Sequence, residues 1–162
     1  MTERLTNPAL YESIFIGALR STAFVLGPRQ LKMFTKTLGE AVYQDLPERM
    51  GGSWAGGKDV VANVKAFAAV EEKTGAYGTD HVEIAEVDGG YDVTFRSCPY
   101  AVPCGELINE LVASGKFEKK DIPCFRADVV TAIVADTTGR KARYDVTECT
   151  AGIKCRSYIE LL

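Results

Sequence analysis

The sequence predicts an α+β domain: a helical N-terminal half, then an antiparallel sheet built from two hairpins, with helices packed on one face. Three observations predict it. Apolar residues recur at helical spacing through residues 10–70, Asp88-Gly89-Gly90 separates two alternating runs, and a second pair of alternating runs closes the chain. At 162 residues, 46% hydrophobic and 25% charged, the chain is of a size to bury one core without staples. It is read as a single domain over 1–162, mainly helical over 1–75, with cysteine-bearing hairpins and two further helices over 76–162. A boundary near Gly75 is conceivable, but neither half shows a face that it could bury alone.

In chain order, Asn7-Pro8 opens the first helix, since proline at an early helical position has no N–H to waste. Leu10, Ile14, Ala18, Leu19, Val25 and Leu26 carry it to Gly27-Pro28. A second helix is predicted over 28–46, with Leu31, Phe34, Leu38 and Val42 on one face and Pro47 as its stop. The glycine-rich stretch "ERMGGSWAGG" reads as a loop that carries the single tryptophan, Trp54, as a cap for a pocket or partner surface. A third helix spans 58–73. Then "HVEIAEV" and "YDVTFRSC" flank the Asp-Gly-Gly turn as a hairpin. Helices are predicted in "CGELINELVASG" and in the segment from Asp121 to Gly139. "RKARYDVTEC" and "CRSYIELL" close the chain as a second hairpin. The order of elements gives the fold class.

Composition narrows the function. The net charge is −3 and the basic residues stand singly, which excludes a nucleic-acid surface. "MTERLTNPAL" has no apolar core of a secretory signal, and Arg20 and Ser21-Thr22 interrupt residues 14–26, so no membrane span is expected. A cytoplasmic setting follows, where thiols stay reduced. That weighs against a disulfide framework, as does the odd count of five cysteines.

Those cysteines are the main candidates for chemistry. Cys149 and Cys155 bound "CTAGIKC" at the ends of two strands, and Cys98 and Cys104 bound "CPYAVPC" at the same separation, stiffened by Pro99 and Pro103. Cross-strand neighbours bring their Cβ atoms to about 5 Å, close enough for two thiolates to share a tetrahedral ion. If the two hairpins lie side by side, four sulfurs converge at one end of the sheet as a zinc or iron–sulfur site. The five-residue spacing is slightly wider than the usual zinc pattern. Buried packing, or a redox dithiol, is the alternative for the same residues. Cys124 opens a helix, where the N-terminal field favours thiolate. It is a fifth metal candidate, a lone reactive thiol, or a core cysteine beside Phe125. Asp128, four residues on, shares its helix face and offers a carboxylate beside it, against a solvated or helix-capping role. Asp121 and Asp136 carry the same two readings. His81, the single histidine, reads as a surface residue at a strand head. "GSWAGGKD" imitates a phosphate-binding loop only formally, because Asp59 replaces the hydroxyl residue and a helix precedes it.

The C-terminal segment "PCFRADVVTAIVADTTGRKARYDVTECTAGIKCRSYIE" resembles the end of V4R (4-vinyl-reductase, hydrocarbon-binding) domains. Cys124, Cys149, Gly152, Cys155 and Tyr158-Ile159 stand at that family's helix-opening cysteine and two-strand cysteine pattern. The Cys149–Cys155 loop is about two residues shorter than the usual pattern, and Gly152-Ile153 replaces a glycine–aspartate. The resemblance implies a small-molecule-binding or sensory domain, often a homodimer. It further implies an apolar ligand cavity and cysteines that hold zinc. "SCPYA" and "PCFRAD" are also similar to the L-2-amino-thiazoline-4-carboxylate hydrolase-like family. That likeness implies a hydrolase of cyclic C–N or C–S bonds using Cys124 and Asp128. An iron–sulfur cluster would instead imply electron transfer.

Overall fold

A computed structural model describes residues 8–49, 57–73, 80–96, 98, 101–118, 123–150 and 154–162. The elements run α1 (Pro8–Leu26), α2 (Pro28–Arg49), α3 (Val60–Lys73), β1 (Val82–Val87), β2 (Gly90–Arg96), α4 (Ala101–Ala113), α5 (Phe125–Thr138), β3 (Ala142–Thr150) and β4 (Lys154–Leu161). The α+β class and the helical first half are as the sequence predicts. Gly27, at φ +86, makes the break between α1 and α2. Asp59, the residue that disqualified the phosphate loop, caps α3 by accepting the Ala62 N–H at 3.0 Å. Among the described residues, no helix is long and apolar enough to cross a membrane.

The two hairpins form one four-stranded antiparallel sheet in the order β1-β2-β4-β3. Its inner face buries Tyr91, Val93 and Phe95 of β2, Tyr144 and Val146 of β3, and Ile159 of β4. Against them pack Val64 and Phe67 of α3 and Val129, Val130, Ile133 and Val134 of α5. The outer face is polar, crossed by Arg156–Asp92, Arg143–Glu160 and Arg96–Glu83 ion pairs. A second core of Ile16, Leu19, Leu31, Leu107 and Leu111 joins α1, α2 and α4. Helix α2 lies directly on α5: a Cβ added at Gly39 would stand 2.6 Å from Asp128 Cβ, so glycine permits the approach.

β3 is irregular in one place. Val146 pairs with Ser157 and Glu148 with Arg156, so Thr147 is an inserted residue. In a regular strand Cys149 would face away from Val146, because successive side chains alternate. The bulge shifts the phase by one and brings Cys149 opposite Cys155. Thr147 Oγ1 donates to the Arg156 carbonyl at 3.2 Å.

The structure corrects three expectations. Helix α2 continues through Pro47 to Arg49, so the proline falls within the helix's last described turn, two residues before Arg49, instead of ending it at Leu46. Helix α4 begins at Ala101, three residues before the predicted start at Cys104, so Cys104 lies in its first turn. His81 is buried at 1% exposure, because its ring meets a carboxylate from α3.

Candidate functional site

All five cysteines open onto one enclosed, mainly apolar cavity. Cys98 follows β2, Cys104 sits in the first turn of α4, Cys124 is the N-cap of α5, and Cys149 and Cys155 face each other across β3 and β4. Phe15 and Leu19 of α1, Phe95 of β2 and Ile108 of α4 complete the apolar wall. Phe15 also meets Phe125 edge to face, with centroids 5.8 Å apart. The space open to the centre of a water-sized sphere is about 40 Å³. It accepts a few waters as it stands, and a larger guest must widen it.

The thiols differ in character. Burial pushes Cys124 up to about 12, so its thiol stays protonated; the nearby Cys98 and Asp128 add to this. The Cys149 and Cys155 sulfurs are 2.6 Å apart. Contact between the two thiols lowers Cys149 and raises Cys155, and burial, the Cys149 charge and the nearby Cys124 and Cys98 raise Cys155 further. Among the described residues, no group of three or more His, Cys, Asp or Glu side chains is arranged to hold one metal ion.

Asp128 does not join the thiol in this cavity. Its carboxylate is only 5% exposed, which departs from a solvated role, and it lines a separate open groove with Lys32, Lys36 and Tyr144. The Tyr144 hydroxyl donates to Asp128 Oδ2 at 3.1 Å and accepts the Cys124 backbone N–H at 2.9 Å. One tyrosine therefore connects the two residues while their reactive atoms open to different spaces. Burial raises Asp128 to about 7, against the lowering pull of Thr35, Tyr144, Lys32 and Lys36. Asp136 accepts a 2.7 Å hydrogen bond from Tyr43. Trp54 and Asp121 lie outside the described residues.

Sequence reasoning missed a buried ionic cluster behind the cavity. Arg126 is 2% exposed and lines the cavity, with its guanidinium 4.6 Å over the Phe95 ring. Its Nε and Nη2 donate to Glu71 of α3 at 3.0 and 2.7 Å, and His81 Nε2 lies 2.9 Å from the same carboxylate. A signal was present: Arg126 stands three, four and seven residues before Val129, Val130 and Ile133, so it shares the core-facing stripe of α5. A charge on such a stripe needs a buried partner.

No family model and no curated sequence matches the chain. Its fold resembles the phenol-responsive sensory domain of the transcription activator PoxR, solved with phenol. The TM-score is 0.59 at 12% identity, over 93% of this chain and 74% of that one. It also resembles a trafficking protein particle complex subunit 3 from Naegleria fowleri, solved covalently bound to palmitic acid. There the TM-score is 0.54 at 10% identity, over 95% of this chain and 96% of the other. At such identities the likeness shows a shared fold, spanning nearly the whole chain.

Proposed function

We propose that the chain is a small-molecule-binding sensory domain of V4R type, with a compact apolar or phenolic guest held in the cysteine-lined cavity. The observation that carries this reading is the enclosed apolar space on which α1, α2, α4, α5 and three strands converge. Pockets of that character, with few polar groups, are where small ligands bind. The fold's likeness to a domain solved with phenol supports the same class of guest. A cytoplasmic setting belongs to this reading.

The test is calorimetry and thermal unfolding with phenol, toluene and a medium-chain fatty acid, on the wild-type chain and on Ile108→Trp, whose ring would fill the space. Binding at a hundredfold excess over Kd should add about 2.7 kcal/mol of stability. The variant should fold and lose the effect. No response to any of the three probes, or an undiminished response in the folded variant, would sink the reading.

A thiolate metal site is the second reading, supported by the convergence of five thiols on one cavity. Cys98, Cys149 and Cys155, with Cys104 or Cys124, would hold zinc as a structural or sensory ion, or an iron–sulfur cluster. The donor chemistry fits: a bound cation would deprotonate thiols that burial now keeps neutral. Among the described residues, no three such groups are arranged around one ion. Elemental analysis with a visible spectrum of anaerobically purified protein decides between zinc, cluster and neither. A homodimer is part of the same proposal, supported by the exposed Ile14, Phe24, Val25 and Met33 on α1 and α2.

A further inference from the structure

The geometry points to a hydroperoxide-reactive dithiol at Cys149 and Cys155 that closes to a disulfide across the last two strands. Three observations carry it, and none depends on the ligand reading. First, the two residues are direct partners in the β3–β4 register. Antiparallel partners have Cα atoms about 4.5–5.5 Å apart, inside the range of about 4.4–6.8 Å that a disulfide spans. The backbone therefore needs no rearrangement.

Second, that facing is built into the strand. Only the bulge at Thr147 turns Cys149 to the side of Cys155. The consequence is that the two sulfurs are in direct contact and both belong to the wall of one cavity. Third, both residues are partly exposed, so a small oxidant reaches them, while the cavity wall around them is mainly apolar, with Thr35 and Arg126 as its other polar side chains besides the remaining thiols.

The chemistry balances as a two-electron step. One sulfur, as thiolate, attacks the peroxide O–O bond and takes one oxygen as sulfenic acid, and the other oxygen leaves as water after protonation. The second sulfur then displaces the sulfenic hydroxyl, which departs as a second water, and the S–S bond forms. The dithiol loses two electrons and two protons, and one hydroperoxide is reduced. A dithiol reductant reverses the step by exchange. Closure would lock one edge of the cavity, joining ligand access to the oxidation state of the chain.

The test uses the protein as purified, with metal content measured on the same sample, treated with equimolar hydrogen peroxide. The expected result is a mass loss of about 2 Da, disappearance of two of the five thiols, and recovery of both on dithiothreitol. Trypsin cuts after Arg143, Lys154 and Arg156, so the diagnostic product is peptide 144–154 joined to the dipeptide Cys155-Arg156. Cys149→Ser should abolish that product. The mapping on the wild-type chain holds whether or not the variant folds. The inference is overturned by five persistent thiols, by zinc that occupies and protects the pair, by oxygen adducts without a cross-link, or by a disulfide that maps to Cys98, Cys104 or Cys124.

Discussion

Asp128→Asn tests the electrostatics of the α2–α5–β3 junction. The carboxyl is raised from an ordinary 3.8 to about 7 by burial beneath α2. The folded chain therefore keeps a proton that the unfolded chain releases near pH 4, and this group favours folding most under acid conditions. Its contribution shrinks as pH rises from about 4 and is fully lost above about 7. Each pH unit between those limits is worth about 1.4 kcal/mol, so from pH 5 to pH 8 the wild type should lose about 3 kcal/mol through Asp128 alone. An amide carries no titrating proton and still offers a carbonyl to the Tyr144 hydroxyl. Urea unfolding of both proteins at pH 5, 6, 7 and 8 should show the variant gaining on the wild type by about that amount, with the change concentrated below pH 7. Stability curves that stay parallel across this range would refute the assignment of a buried, neutral Asp128.

Arg126→Met should cost about 3–5 kcal/mol in urea unfolding, because it strands the Glu71 carboxylate in the core. A loss under about 1 kcal/mol would mean that water or His81 already compensates Glu71. Deleting Thr147 removes the inserted residue and leaves Val146, Glu148 and Cys149 in regular alternation, so Cys149 should still face Cys155 and the number of thiols that react rapidly with a bulky maleimide, counted by mass spectrometry, should not rise. An additional fast-reacting thiol in a folded protein would remove Thr147 as the inserted residue.

Local signals carried most of the fold. Asp88-Gly89 marked the first hairpin, and Gly27-Pro28 parted α1 from α2. What was not legible depends on residues far apart or on a broken period. His81 reads as a surface residue until Glu71 and Arg126 are known to meet it. The Thr147 bulge is invisible to a period of two, although with Thr147 in regular alternation Cys149 and Cys155 would not face each other. Cys104 looked like the end of a proline-stiffened loop, yet Pro103 falls in the first turn of a helix, where proline is tolerated. Cys124 and Asp128 share a helix spacing, but Gly39 draws α2 onto α5 and directs the carboxylate to a different space.

The Glu71–Arg126 pair also imposes an order on synthesis. The two residues are 55 positions apart, and the acid is made first. At about 5–20 residues per second the ribosome needs roughly 3–11 s to supply the guanidinium. During that interval α3 holds a carboxylate it cannot yet bury, so the nascent helical half should remain loosely docked until α5 emerges. Residues in the second half of the message thus govern when the first half sets.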